Sequence, residues 1–233
     1  MIIALVGAGG KTTLGRKIAY ELSCRGCRLL FTTTTKIARP EDGNVYIGPI
    51  QNIPKSSLFT TAAKAVLENG KLQGYPPLEL DQTPPIFDHI VVEADGANRK
   101  PVKAPNATEP VYPNDTRIVI GVIGLDCLGK PVIDEFVHRP ACFADVTQAK
   151  QGDIITPGHL LRLISHPHGL FKGAPLNASR IVFLNKYDTI DDTNRDEAAA
   201  IIENASLPVF VTSRETDWFP EFYETFMKEA YDG

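Results

Sequence analysis

The chain has few cysteines, no long apolar run and no excess of positive charge. Its 233 residues include four cysteines, too few for a disulfide framework in a chain of this size. The longest apolar run, Ile118 to Leu125, is too short to span a bilayer, and the N-terminus lacks the basic start of a signal peptide. The formal net charge of −4 argues weakly against a nucleic-acid-binding surface and leaves local basic patches open. We therefore expect a cytoplasmic protein with no membrane segment and no nucleic-acid partner.

Two of the cysteines form a C-x-x-C pair, Cys24 and Cys27, at the end of the first predicted helix. No second pair follows in the sequence, so the favoured interpretation is two small residues beside a helix end. A metal or redox role for the pair is left open.

The first strong pattern is a glycine loop between an apolar strand and a helix. Residues 2–6 are apolar and predict a buried strand, and a helical pattern starts at Leu14. Glycines allow a backbone to approach a polyphosphate closely, and a helix N-terminus favours an anion. We expect Lys11 to reach the β- and γ-phosphates and the Thr12 hydroxyl to ligate Mg²⁺. The residues assigned to the nucleotide here are Gly7, Ala8, Gly9, Gly10, Lys11, Thr12 and Thr13.

This loop is shorter than the common phosphate-binding pattern, G-x-x-x-x-G-K-[ST], because only Ala8 and Gly9 separate Gly7 from Gly10. Its spacing resembles that of the Mur-type peptide ligases, which bind ATP. The alternative is a plain glycine turn with Lys11 in solvent.

A second apolar strand, from Asp88 onwards, ends in the acids Glu93 and Asp95. Residues two apart on a strand point to one face, so both carboxylates are candidates for the Walker-B role of holding Mg²⁺ or orienting the attacking water. The predicted catalytic residues are therefore Lys11, Glu93 and Asp95. The alternative is a strand that ends in solvated acids.

Threonines and basic residues are weaker candidates for contacts with Mg²⁺, phosphates or an anionic substrate. The run from Thr32 to Thr35 follows a predicted strand, and its central members Thr33 and Thr34 offer hydroxyls to Mg²⁺, although plain β-propensity explains threonines equally well. The segment with Arg99, Lys100 and Lys103 either contacts phosphates or an anionic substrate, or forms a solvated basic loop.

A third apolar strand, from Ser179, delivers the sequence N-K-x-D at its carboxyl end. In GTPases the aspartate of this motif accepts hydrogen bonds from guanine, the lysine packs along the base, and the asparagine ties the motif to the phosphate loop. Asn185, Lys186 and Asp188 are thus assigned to the nucleotide. The last strand leads to a further loop, residues 212–214, beside the expected base.

Strands alternate with helices along the chain, which predicts an α/β fold with three layers around a mostly parallel central sheet. We treat residues 1–233 as a single P-loop NTPase-like domain, with all motifs at the carboxyl ends of strands. Between the motifs, helices are expected from Thr60 to Glu68 and from Asp134 through His138.

Taken together, these motifs resemble the YqeC family, accessory proteins linked to selenium-dependent molybdenum hydroxylases. The resemblance implies a P-loop protein that binds a nucleoside triphosphate and acts in maturation of the selenium-containing cofactor. The implied partners are a molybdenum hydroxylase or its cofactor-maturation proteins, and a homodimer is one candidate for the oligomeric state. The matching stretches are VGAGGKTT (6–13), FTTTTK (31–36), VVEADGA (91–97), RKPVKAP (99–105), VIGLDCLGKP (122–131), VHRP (137–140) and LNKYD (184–188).

Three functions follow from these observations. The first is a Mg²⁺-dependent NTPase, with GTP favoured over ATP because of N-K-x-D. The second, motivated by the short loop, is an ATP-dependent ligase or kinase acting on a small anionic acceptor. The third is a non-catalytic chaperone whose nucleotide sets its affinity for a partner.

Overall fold

The computed structural model describes residues 1–40, 45–55, 57–213 and 217–231. Arg214, in the loop predicted beside the base, lies outside these ranges. The strands are β1 (Ile2–Gly7), β2 (Leu29–Thr33), β3 (Lys36–Ile37), β4 (Val45–Ile47), β5 (Phe59–Ala63), β6 (Ala65–Val66), β7 (Leu72–Gln73), β8 (His89–Glu93), β9 (Val102–Lys103), β10 (Thr116–Gly124), β11 (Val137–His138), β12 (Ser179–Asn185) and β13 (Val209–Thr212). The helices are α1 (Lys11–Cys24), α2 (Pro77–Asp81), α3 (Pro140–Thr147), α4 (Pro157–Ser165), α5 (Asp192–Asn204) and α6 (Phe219–Tyr231).

Eight of the strands form one sheet in the order β13-β12-β10-β1-β8-β2-β5-β4, and every neighbouring pair is parallel. Strands β1 and β10 lie in the middle and are almost wholly buried, as their continuous apolar sequences require when both faces of a sheet are covered. Because all eight strands run the same way, their carboxyl ends meet along one edge. That edge carries the glycine loop after β1, the acids at the end of β8 and the N-K-x-D segment at the end of β12.

Helices cover both faces of the sheet. One core cluster joins the sheet to α1 and α6, through residues such as Ile18 and Phe222, and another joins it to α3, α4 and α5, through Phe143, Leu160 and Ile201. The three-layer α/β architecture with a mostly parallel central sheet is confirmed. Every helix within the described ranges is too short or too polar to cross a bilayer.

Two smaller sheets stand at the carboxyl edge. Strands β3, β7 and β6 form an antiparallel three-stranded sheet, called the small sheet below, and β9 pairs with β11 in a two-stranded ribbon. The small sheet is fixed to the end of β2 by two backbone hydrogen bonds, from Gly74 N–H to the Thr35 carbonyl (2.9 Å) and from Tyr75 N–H to the Thr33 carbonyl (3.0 Å). Gly74 is required there, because a Cβ would lie 1.9 Å from the Thr33 carbonyl oxygen.

Two sequence predictions about helices are wrong. Residues 60–68, expected to be helical, instead contain β5 and β6, because Thr60 and Thr61 pair in register with Leu30 and Phe31 of β2. This tertiary pairing overrides the local helical pattern. The helix expected from Asp134 begins only at Pro140, since Val137 and His138 pair with β9 first.

Candidate functional site

Helix α1 begins directly after the glycine loop with its backbone donors exposed to a cleft. Gly10 is the N-cap residue, so no side chain caps the helix, and its first turn contains no acid. The first intrahelical bond is donated by Leu14 to Gly10, which leaves the amides of residues 10–13 without a partner in the described part of the chain. Unpaired N–H groups and the positive end of the helix dipole together favour an anion at this position.

Both backbone conformation and the lack of space for a Cβ atom require glycine at these positions of the loop. Gly7, Gly9 and Gly10 all have positive φ. A Cβ on Gly9 would lie 2.2 Å from the Gly124 nitrogen, and one on Gly10 would lie 2.5 Å from Asn185 Nδ2. The amides of Ala8 and Gly9 already donate to the carbonyls of Val122 (2.9 Å) and Lys100 (3.0 Å). The donors available to an anion are therefore the amides of residues 10–13 rather than those of residues 7–9, since the Gly7 amide donates to Asp95.

Below the loop lies a chain of paired charges, called the floor network here. The Lys11 ammonium is 3% exposed, donates to the Gly7 carbonyl (2.6 Å), and lies 3.1 Å from Asp95 Oδ1 and 3.7 Å from Glu93 Oε1. Burial alone would lower the pKa of Lys11, but Asp95 and Glu93 outweigh it and hold that pKa above its usual value. Lys11 is therefore cationic at neutral pH, as its proposed contact with phosphates needs.

The network continues through Lys103, a cation that the sequence did not single out as structural. Asp95 Oδ2 accepts from the Gly7 amide (3.1 Å) and lies 2.9 Å from Lys103 Nζ, and Lys103 is fully buried. Lys103 also donates to Glu109 Oε2 (3.0 Å), which accepts from Arg139 Nη1 at 2.7 Å. Partial burial opposes ionisation of Glu109, but the bonds from Arg139 and Lys103 lower its pKa to about 2. Lys103 thus anchors this network and is not free to hold a substrate.

The two predicted acids have different surroundings. Asp95 is 1% exposed and is surrounded by the Gly7 amide and two ammonium groups. Glu93 lines the cleft and its Oε2 accepts a 2.7 Å hydrogen bond from the Thr12 hydroxyl. Burial raises the pKa of Glu93 in spite of Lys11 and Thr12, so a nearby divalent cation would stabilise its charged form. The side chains that face the cleft together are Thr12 and Glu93.

The threonines after β2 are bonded within the protein. The Thr33 hydroxyl donates to the Glu93 carbonyl (2.6 Å) and accepts from the Thr35 amide, and the Thr34 hydroxyl donates to the Val111 carbonyl (2.8 Å). Of Thr33 and Thr34, only Thr34 lines the cleft, and the assignment of both to Mg²⁺ stays a prediction. Within the described ranges, no three His, Cys, Asp or Glu side chains cluster as metal ligands. This leaves the oxygens of Thr12 and Glu93 as the paired candidates.

The N-K-x-D segment touches the glycine loop. Asn185 Nδ2 donates to the Gly9 carbonyl (2.7 Å), the contact that the motif predicts, and Asn185 Oδ1 accepts from the Thr212 hydroxyl (2.8 Å). Lys186 forms an ion pair with Asp126 at 2.6 Å, a partner that the sequence did not reveal. The half-buried carboxylate of Asp188 makes no hydrogen bond to the rest of the described protein, so its acceptor positions are open.

The cleft in front of the loop is large and basic. Its volume is about 1400 Å³, and it extends from residues 9–13 across the end of β2 to the small sheet, with residues 96–100 along another side. Among the described residues, nine lysines and arginines line it but only two acids, although acids outnumber bases in the whole chain by 28 to 24. Arg99 and Lys100, two of the predicted cations, are in this set, whereas Lys36, Arg39, Lys64 and Lys71 were not predicted. The concentration of positive charge suits a ligand with several negative charges.

The four cysteines are all free thiols. Cys24 is exposed and Cys27 is half-buried at the end of α1, while Cys127 is buried. Burial raises the pKa of the Cys27 thiol, so this group is not an activated thiolate.

Comparisons with known proteins agree with the motif pattern. A family model described as YqeC protein matches residues 3–141, which include the glycine loop, Glu93, Asp95 and the floor network as far as Arg139. The chain is 35% identical over 199 residues to the uncharacterized protein YqeC of Escherichia coli K12, covering 82% of this chain and 78% of that protein. No solved structure matches the chain. On the family match and this level of identity, the chain belongs to the YqeC family.

Proposed function

We propose that the protein is a Mg²⁺-dependent nucleoside-triphosphate-binding protein and an NTP hydrolase. The observation that carries this proposal is the start of α1, where four amides without a partner among the described residues lie at a basic cleft beside the Thr12–Glu93 pair. The triphosphate would lie across these amides with Lys11 against its β- and γ-phosphates. Thr12 and Glu93 would ligate Mg²⁺ directly or through water, with phosphate oxygens and water completing its six ligands.

The proposal gives the two acids separate roles. Glu93 serves the metal because it lines the cleft and contacts Thr12. Asp95 is a positioning residue, because it is buried and binds the Gly7 amide, Lys11 and Lys103. Its charge would hold the loop and the Lys11 ammonium in place below the phosphates.

The favoured nucleotide is GTP. Asn185 already joins the N-K-x-D segment to the glycine loop, and the open acceptors of Asp188 suit the N1–H and exocyclic amine of guanine. ATP is the alternative, since the shortened loop resembles that of ATP-dependent ligases. In line with the family resemblance, we propose that the nucleotide drives a step in maturation of the selenium-containing cofactor of a molybdenum hydroxylase.

The test is isothermal titration calorimetry with GTP and ATP, each with and without Mg²⁺. We expect Mg²⁺-dependent binding of GTP, and weaker binding of ATP. Lys11→Ala should weaken nucleotide binding at least about 100-fold, or about 2.8 kcal/mol, because charge-assisted contacts to phosphates are lost. Because Lys11 also neutralises buried acids, an unfolding curve of the Lys11→Ala variant must show that it is still folded.

Thr12→Val is a second variant that leaves the floor network's charges intact, and it should reduce the effect of Mg²⁺ on affinity. Its matched control is Thr83→Val, a half-buried threonine away from the cleft whose hydroxyl also makes one hydrogen bond, to the Leu80 carbonyl. Failure of the folded wild-type protein to bind either nucleotide would overturn the proposal.

A further inference from the structure

The cleft is larger than most sites that hold one small molecule. Ligand sites for small molecules usually occupy about 300–1,000 Å³, against the 1400 Å³ observed here. The small sheet forms the side of the cleft away from the N-K-x-D segment. This part of the cleft has no role in the nucleotide site proposed above.

Strand order places the small sheet on the side of the terminal phosphate. In the sequence of neighbours β12-β10-β1-β8-β2, the N-K-x-D segment follows β12, the glycine loop follows β1, and the small sheet is attached to the end of β2. The glycine loop therefore lies between the other two. A nucleotide with its base near Asp188 and its phosphates on the loop would direct its terminal phosphate towards β8 and β2, where the small sheet stands.

The small sheet presents positive charge to the cleft from one face. Ile37 and Leu72 are cross-strand partners and are buried, whereas the adjacent pair Lys36 and Gln73 is exposed on the opposite face. Lys71 lies two residues from Gln73 on the chain and so shares that face. Lys36, Gln73 and Lys71 all line the cleft.

The two lysines of this face are not balanced by acids of the protein. Neither Lys36 nor Lys71 has an ion-pair partner among the described residues, whereas nearby Lys64 is paired with Glu79. The backbone bonds from Gly74 and Tyr75 to the end of β2 hold this face in a fixed position. Two ammonium groups that have no ion-pair partner among the described residues, on a sheet anchored beside the proposed phosphate site, are suited to bind an anion.

We infer that the exposed face of the small sheet, carrying Lys36, Lys71 and Gln73, binds a second substrate that is a small oxyanion, beside the terminal phosphate of the nucleotide. The inference rests on the proposed function, because the position of the bound nucleotide determines which side of the cleft is left for a second ligand. The shared chemistry of the substrate is a carboxylate or phosphate group that accepts hydrogen bonds from two ammonium groups and one amide.

The test uses the full chain saturated with Mg²⁺ and a non-hydrolysable triphosphate analogue, so that the glycine loop is occupied. Inorganic phosphate is then titrated and its binding is measured by calorimetry. We expect the loaded wild-type protein to bind phosphate, and the double variant Lys36→Ala/Lys71→Ala to bind it at least about tenfold more weakly. Affinity for the analogue should change less than about twofold, since neither lysine contacts the nucleotide in this arrangement.

The matched control is Lys55→Ala/Lys150→Ala, which removes two exposed lysines outside the cleft and should leave phosphate binding unchanged. If the analogue binds but phosphate does not, or if both double variants bind phosphate equally well, the inference is overturned and the proposed function stands. If the analogue does not bind to the folded wild-type protein, both are overturned.

Discussion

The floor network and the small sheet both carry lysines at the same cleft, but these lysines differ in burial and in ion pairing. In the floor network Lys11 and Lys103 are buried, and each lies within 3.1 Å of the Asp95 carboxylate. On the small sheet Lys36 and Lys71 are exposed and lack an acid among the described residues. Burying a charge is tolerated only when it is paired, whereas an exposed one can stay unpaired at little cost. The comparison indicates that Asp95 and Lys103 hold the loop and Lys11 in place, whereas Lys36 and Lys71 are not held by acids and are available to a ligand.

The largest effect is expected from Asp95→Ala, which would leave two buried ammonium groups without their shared partner. We expect the free energy of unfolding to fall by about 3–5 kcal/mol, as is typical when one member of a buried ion pair is removed. Urea denaturation measures this. Asp145→Ala, at an exposed position on α3, should change stability by no more than about 0.5 kcal/mol. A loss below about 1 kcal/mol for Asp95→Ala would mean that the floor network does not hold the loop.

An intermediate effect on the free energy of unfolding is expected when the pH is lowered. The folded-state pKa of Glu109 is lowered to about 2 from an ordinary value of 4.5, so its contribution to stability is present above pH 4.5 and is lost as the pH falls towards 2. Between pH 5 and pH 2 this amounts to on the order of 2 kcal/mol.

Denaturation curves of the wild type and Glu109→Gln over that range provide the measurement. The variant should be less stable at pH 5, and the difference between the two proteins should shrink as the pH falls. A constant difference would contradict the assigned ion pairs with Lys103 and Arg139.

The smallest effect on stability is expected at the small sheet. Lys36→Ala/Lys71→Ala removes exposed charges that have no partner within the described ranges, so the free energy of unfolding should change by no more than about 0.5 kcal/mol. The same urea denaturation serves as the measurement. A loss comparable to that of Asp95→Ala would show that these lysines are structural, and would remove the contrast between the two regions.

The sequence predicts the parts of the molecule that depend on local pattern. The apolar runs of β1, β8, β10 and β12 were sufficient to predict a parallel sheet, and the motifs that follow three of them meet at one edge. The segment 60–68 was missed because its alanines favour a helix, whereas its pairing with β2 is a contact between distant residues. Local propensity carries no information about such a pairing.

The same limit applies to the site. Nothing local distinguishes Lys103 from Lys100, yet one is buried between Asp95 and Glu109 and the other lines the cleft. Lys36 and Lys71 are far apart in the sequence and come together only through the antiparallel pairing of β3 with β7. The separate surroundings of Glu93 and Asp95 likewise depend on where β1 and Lys103 lie.

The backbone bond between Gly9 and Lys100 joins the glycine loop to the segment that precedes β9, and the neighbouring Pro101 carbonyl accepts from the Gly124 amide at 2.9 Å. A ligand that reshapes the loop must therefore carry this segment with it or break the bond. Movement of that segment would pull on β9 and, through its pairing with β11, on the start of α3. The glycine loop and the start of α3, more than a hundred residues further along the chain, are thus linked by one set of backbone hydrogen bonds and strand pairs.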